Sequence, residues 1–292
     1  MRPAAYGVCM QVARHGEGTG AAVRALASQV HPVFMLPPLA ASAFGAVLAG
    51  EFSLLVLSVH VAAMFAAVYT AHLKDGLVDF HVRGEDDDHP LTEAGCRLAI
   101  RGSTIAFAAF AAALWWLVGP WAAALAVPAW LIAYHHAPQL DTHPVTTTTG
   151  YPLGIAVALV GGYYAQAEVL AVRPLAFASV LLVLLSGVKV VDDAQDYEYD
   201  RSIGKHSVAV VLGRSGARRF AYALMAASMV GVVALAALAV FPPSSVAAVA
   251  AFGVVAAFAA RTDPTIATML LVRGCYVFLA VLVAAVWFRP LA

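Results

Sequence analysis

The sequence predicts an all-α integral membrane protein with nine transmembrane helices around a central cavity and a cytoplasmic N-terminus. Three observations predict it. The chain is 62% hydrophobic and only 12% charged, with a mean hydropathy of +0.83, outside the range of soluble globular domains. It holds nine apolar runs close to the roughly 20 residues that cross a bilayer core. With the N-terminus inside, 14 Lys and Arg fall in cytoplasmic segments and only Arg173 and Arg289 outside, with Arg273 inside the last run. A miscounted helix would scramble that partition, so the positive-inside rule supports both orientation and count.

The runs follow in order. The first, 31–50, opens on His31-Pro32, and the second, 52–73, descends into an acidic segment at 74–93. Runs at 98–118 and 120–138 lead to a third cytoplasmic loop, HHAPQLDTHPVTTTTGYP at 135–152, polar, proline-punctuated and without Lys or Arg. The fifth run is 148–167. The sixth, 174–191, ends in VKVVDDAQDYEYDRSIGKHS, residues 188–207. Runs at 218–241, 243–260 and 267–288 complete the set. Residues 1–30 lack a signal peptide's apolar core and carry Arg14, His15 and Glu17, so they are expected to form an uncleaved cytoplasmic lead-in to a single domain at 31–292.

Twelve of the 17 acids sit in two loops on the cytoplasmic side: Asp75, Asp79, Glu85, Asp86, Asp87, Asp88 and Glu93 in one, Asp192, Asp193, Asp196, Glu198 and Asp200 in the other. The clusters lie about 117 residues, or four helices, apart, which hints at an internal pseudo-repeat bringing equivalent loops over one cavity. On a helix, Asp193, Asp196 and Asp200 would share a face at i, i+3 and i+7 with Glu198 turned elsewhere, and Asp75 and Asp79 would share one at i, i+4. Carboxylates so stacked raise one another's pKa unless a cation lies between them. Magnesium takes oxygen ligands and shares its shell with phosphates, so two such clusters can clamp Mg2+ bridging a diphosphate. Asp75, Asp79, Asp192, Asp193, Asp196 and Asp200 are the candidate ligands, and Lys189, Arg201, Lys205, Lys74 and Arg83 the candidate diphosphate contacts. The run Glu85–Asp88 reads as a solvated charge cluster.

Cys9, Cys96 and Cys275 are far apart and without CxxC spacing, so neither a disulfide framework nor a zinc site is suggested. His135, His136 and His143 are unevenly spaced beside prolines and are read as polar loop residues lining the cytoplasmic cavity.

The stretch DDAQDYEYDRSIGKHSVAVVLG, 192–213, resembles the second aspartate motif of the UbiA-type intramembrane prenyltransferases, D-x-x-D-x-x-x-D followed by Gly-Lys and Leu-Gly. The resemblance implies nine transmembrane helices with Asp-rich cytoplasmic loops after helices 2 and 6. It also implies Asp193, Asp196 and Asp200 as magnesium-diphosphate ligands and Lys205 as a phosphate contact, with Asp192 where the family usually has Asn. The first motif, HLKDGLVDFHVRGEDDD, departs further: Lys74 takes the Asn position, Asp75 and Asp79 follow, and 78 and 83 are not Asp. His31-Pro32 stands for the family's Arg-Pro, and the basic pair of its third cytoplasmic loop is missing. GYPLGIAVALVGGYYAQ, 150–166, with the Asp-Tyr-Glu of the second motif, is similar to the 1,4-dihydroxy-2-naphthoate prenyltransferases of menaquinone synthesis.

The expected activity is therefore Mg2+-dependent transfer of a prenyl group from a polyprenyl diphosphate, such as geranylgeranyl diphosphate, to an aromatic or lipid acceptor in quinone or isoprenoid lipid biosynthesis. Tyr151, Tyr163, Tyr164 and Tyr197 are candidates for facing the allylic cation. Two alternatives stand beside it. A CDP-alcohol phosphotransferase also uses membrane aspartates, and KDGLVDF carries an Asp-Gly, but the rest of that motif is absent. A transporter or channel would use the acids as a cation-attracting vestibule, and none of the nine runs has a clear mid-helix acid. The Arg-rich, Lys-poor composition favours a prokaryotic cell membrane, with the active-site loops cytoplasmic and no nucleic-acid partner.

Overall fold

Prolines set four of the helix starts, because the first helical position needs no N–H donor. Pro32 opens α2 (Pro32–Ala49), Pro120 α5 (Pro120–Tyr134), Pro144 α6 (Pro144–Ala167) and Pro264 α11 (Pro264–Phe288). Side-chain caps set two more: Ser53 accepts from the Val56 N–H at the head of α3 (Leu54–Val78), and Thr92 from the Gly95 N–H at the head of α4 (Glu93–Leu117). The set is completed by α1 (Gly18–Ala27), α7 (Val172–Asp193), the short α8 (Tyr197–Ser202), α9 (Val208–Ala237) and α10 (Val246–Ala259). The computed structural model describes residues 11–50 and 53–290; Arg2, Cys9 and Phe52 lie outside them. Among the described residues there is no strand, only an isolated bridge between Ala13 and Leu91.

Each of the nine apolar runs falls on one helix, α2 to α7 and α9 to α11. Six are long and apolar enough to cross a membrane: α2, α3 with the turn that follows it, α4, α7, α9 and α11. The apolar α5 and α10 are shorter, and α6 begins in the polar TTTTGYP stretch. Three expected boundaries move by five residues or more. The second run extends past 73, because α3 continues to Val78 and then through one π-helical turn, Asp79–Arg83. The third begins at Glu93, where Thr92 caps it. The seventh begins at Val208, ten residues early, and is broken where Gly213 adopts φ 72°, a left-handed conformation that glycine reaches without strain.

The most extensive packing is α2 on α6, α3 on α4, α7 on α9 and α10 on α11, with α6 also touching α5 and α7. One apolar core joins α2, α6, α7 and α9 to α11, and a second joins α3, α4, α5 and α6. Helix α6 thus belongs to both. Its crossing with α2 is a backbone contact: a Cβ placed on Gly45 would lie 2.1 Å from the Leu159 carbonyl oxygen, and one on Gly162 2.3 Å from that of Ser42. Small residues at such crossings let helices gain dispersion contacts where lipid supplies no hydrophobic drive.

At the acidic end of α3 the N-terminal segment straps the α3–α4 loop. The Arg14 N–H donates to the Pro90 carbonyl at 2.8 Å and the Thr92 N–H to that of Val12 at 3.0 Å. The Arg14 guanidinium reaches Asp88 at 2.9 Å and lies over the Phe80 ring.

Candidate functional site

The ends of α3 and α7 that carry the acids open into one cavity of about 730 Å³. Asp75 and Asp79 line it from α3 and its π-turn, Lys189 and Asp192 from the last turns of α7, and Asp86 and Asp88 from the α3–α4 loop. His31, His72 and His136 complete much of the polar wall, and Phe34 and Tyr151 the apolar one. A second, almost wholly apolar cleft shares Phe34, Tyr151, Lys189 and Asp192 with this cavity and continues between α2, α6, α7 and α11, past Ile155, Leu181 and Leu185 to Tyr276 and Leu279. An acidic chamber therefore gives directly on a greasy slot.

The i, i+4 pair behaves as its spacing suggests, since Asp75 and Asp79 both reach the cavity. The second cluster does not form one continuous helical face. Helix α7 ends at Asp193, a turn follows, Asp196 stands at the cap of α8, and Asp200 lies within α8. Asp192 rather than Asp193 lines the cavity. Asp193 is 4% exposed and takes the Lys189 ammonium at 2.6 Å, while the same ammonium reaches Asp192 at 3.2 Å. Asp200 is 2% exposed, with Lys205 at 3.5 Å. Asp196 is exposed, and partial desolvation first, then the neighbouring Asp192 and Asp200 carboxylates, raises its pKa. Glu198 turns outward to Arg214 at 3.5 Å.

The other candidates divide. Arg83 is engaged by protein: its two terminal nitrogens hold Asp141 at 2.6 and 3.1 Å, and one reaches Asp79 at 3.3 Å. Lys74 lies over the Tyr134 ring, and Arg201 is exposed on α8. Neither lines the cavity. Of the tyrosines, Tyr151 lines both spaces and donates to the Phe34 carbonyl at 2.8 Å. Tyr163 packs on the core of α2, α6 and α7, Tyr164 on that of α3 to α6, and Tyr197 lies under Arg214. His136, read as a cavity residue, is one, 3.8 Å from Asp75; His143 instead accepts the Val145 N–H at the head of α6.

Sequence reasoning missed Asp141, Gln29 and His72; the Glu85–Asp88 run is exposed, as expected, and Asp86 and Asp88 also border the cavity. His72 had a signal, one helical turn before Asp75 on the same face. Asp141 had none, since its partner Arg83 is 58 residues away.

The donor set suits a hard cation. It consists of the carboxylates of Asp75 and Asp79 at the end of α3 and of Asp192 at the end of α7, which share one cavity. Oxygen-only sets of this kind match magnesium. Asp75, Asp79 and Asp192 could hold it, with Asp196 adjoining Asp192 and Asp200.

A family model described as the UbiA prenyltransferase family matches residues 35–265. A comparison with curated proteins returned no match. Among solved structures, a UbiA homologue from Aeropyrum pernix K1 superposes with a TM-score of 0.70 at 17% identity, over 90% of this chain and 100% of that one. A structure of digeranylgeranylglyceryl phosphate synthase gives a TM-score of 0.69 at 12% identity, over 91% and 99%. A UbiA homologue from Archaeoglobus fulgidus bound to GPP and Mg2+ gives 0.63 at 16% identity, over 92% and 99%.

Proposed function

Because the chain belongs to the UbiA prenyltransferase family, we propose that it transfers the prenyl group of an allylic prenyl diphosphate to an acceptor in the bilayer, with Mg2+ held by the aspartates at the ends of α3 and α7. The observation that carries this reading is the junction of the acidic chamber with the apolar cleft at Asp192, Lys189, Phe34 and Tyr151. A molecule with a polyanionic head and an apolar tail fits that junction. The Archaeoglobus fulgidus homologue, bound to GPP and Mg2+ and, in another structure, to DMAPP and Mg2+, supports the same pairing of ligand and ion.

Held by Asp75, Asp79 and Asp192, Mg2+ would supply positive charge to neutralise the leaving diphosphate. Lys189 supplies a cation at the junction, and Lys205 stands 3.5 Å from Asp200. The allylic C–O bond breaks, the diphosphate leaves with the electron pair, and the acceptor forms the new bond to carbon and loses a proton. Tyr151 presents a ring where the cation develops, and the apolar cleft keeps water from it. Electrostatic stabilisation of the leaving group accounts for most of the rate.

The acceptor is an uncharged aromatic rather than a phosphorylated lipid. Five aspartates line the chamber against one cation, Lys189, which leaves little to bind a second phosphate once the diphosphate is seated. Aromatic acceptors of quinone synthesis fit this description. The topology proposed with this activity is nine membrane crossings for 31–292 with a cytoplasmic N-terminus in the cell membrane, supported by the distribution of basic residues.

The test is an assay in membranes with Mg2+ and labelled geranylgeranyl diphosphate. Label should move to an aromatic acceptor with release of diphosphate, and Asp192→Ala or removal of Mg2+ should stop it. Turnover that survives both sinks the reading.

A further inference from the structure

Two histidines and a cysteine, separated in sequence and outside the aspartate clamp, converge where the π-turn meets α4. His81 stands in the π-turn between Asp79 and Arg83, His89 in the α3–α4 loop and Cys96 in the first turn of α4. One ring nitrogen of each histidine and the Cys96 sulfur all lie within 4.8 Å of one another. His89 is 5% exposed and Cys96 fully buried.

We propose that His81, His89 and Cys96 bind a structural borderline cation of the Zn2+ type, which ties the π-turn to α4. Three details of the geometry support it. Cys96 Sγ stands 3.9 Å from His89 Nδ1, a few tenths of an ångström wider than zinc's bond lengths to S and N require. His89 Nε2 faces Gln29 Oε1 at 3.2 Å. Donation to that amide oxygen leaves the Nδ1 lone pair turned to the cluster, as a partner on the far nitrogen does in metal-bound histidines. The Leu91 carbonyl oxygen lies 3.1 Å from His81 Nε2 and 3.3 Å from His89 Nδ1. Two imidazole nitrogens, a sulfur and a carbonyl oxygen thus meet in one buried place. The Leu91 N–H donates to His89 Nδ1 at 3.2 Å and a His81 Nε2–H can donate to the Leu91 carbonyl, so a bound metal would replace these two hydrogen bonds.

The chemistry is a binding equilibrium in which the Cys96 thiol releases its proton to solvent as the metal–sulfur bond forms. Burial lowers the pKa of His89, which keeps it a neutral ligand. Soft sulfur with imidazole nitrogen selects zinc over magnesium, so this centre and the all-oxygen clamp take different ions. Its consequence lies two residues away: with His81 fixed, Asp79 is fixed as well, and the clamp keeps its shape without substrate.

Cobalt(II) is the probe, added to chelator-stripped full-length protein in detergent. The expected result is one tight Co2+ per chain with a sulfur-to-cobalt charge-transfer band in the near ultraviolet. The band should be lost in Cys96→Ser and kept in Cys9→Ser, Cys275→Ser and Asp192→Asn. Gln29→Ala should weaken Co2+ binding by about 10- to 100-fold, the usual effect of removing an outer-shell partner. Absence of the band from the saturated wild type overturns the proposal, as does its survival in Cys96→Ser. The wild-type titration and Gln29→Ala decide the matter if Cys96→Ser does not fold.

Discussion

Lys189 holds Asp193 by an ammonium–carboxylate contact of 2.6 Å across one turn of α7, on the buried side of the helix end, while the adjacent Asp192 lines the cavity. Neighbouring residues on a helix point about 100° apart, so two consecutive aspartates are given two jobs. Asp193→Ala should lower stability by about 1 to 3 kcal/mol, the range for leaving a charged hydrogen-bonding partner unsatisfied. Denaturant unfolding in detergent measures it. An unchanged midpoint with lost activity would instead make Asp193 a direct ligand.

Asp192 and Asp75 carry the opposite expectation. Each lines the chamber, so Asp192→Asn and Asp75→Asn should leave unfolding nearly unchanged and lower turnover by about 100-fold or more, as removing a preorganised electrostatic group does. Raising Mg2+ should recover part of the loss, because the weakened site still offers the other carboxylates. Diphosphate release as a function of Mg2+ reads both effects.

Arg83 is assigned by its partners. Its bidentate contact with Asp141 joins the π-turn after α3 to the loop before α6. A double-mutant cycle of Arg83→Met and Asp141→Asn should show a coupling of about 1 to 3 kcal/mol in stability. A role in diphosphate binding would instead raise KM in Arg83→Met with no coupling to Asp141.

These assignments separate what the chain's pattern displays from what it conceals. Nine apolar runs and the acids at the ends of the second and sixth are periodic, local signals, and the helices and the location of the chamber follow from them. Three things were concealed. The break after Asp193 has no proline or glycine to announce it; residues 194–196 read as helix, and the turn there takes Asp196 and Asp200 off the helical face that Asp193 begins. The partners of Arg83 and His89 are 58 and 60 residues away, beyond any helical spacing. Cys96, one of three scattered cysteines, gains its histidine neighbours only when the α3–α4 loop folds back.

Backbone contact between α2 and α6 makes another prediction. Gly45→Ala places a methyl 2.1 Å from the Leu159 carbonyl oxygen and should cost about 1 to 3 kcal/mol by forcing the helices apart. Gly253→Ala in α10 meets no atom within 4 Å, and should be neutral or stabilise by about 0.5 to 1 kcal/mol through helix propensity alone. Thermal unfolding of the pair tests the contact against a general effect of glycine replacement.

The apolar cleft should set the length of prenyl chain that the protein accepts. Leu185 lines it from α7, one turn before Lys189 and two before Asp192 at its polar end, and is only partly buried, so a larger side chain there narrows the cleft. A short diphosphate would keep its place at the mouth, whereas a longer tail would meet the new ring. Leu185→Trp should therefore reduce kcat/KM for geranylgeranyl diphosphate relative to dimethylallyl diphosphate by about 10- to 200-fold, the range that one or two methylenes of misfit produce in a hydrophobic pocket. Leu185→Ala should move the ratio the other way. Equal losses for both chain lengths would place the tail elsewhere, and the junction at Asp192 and Tyr151 would then no longer define which end of the substrate enters first.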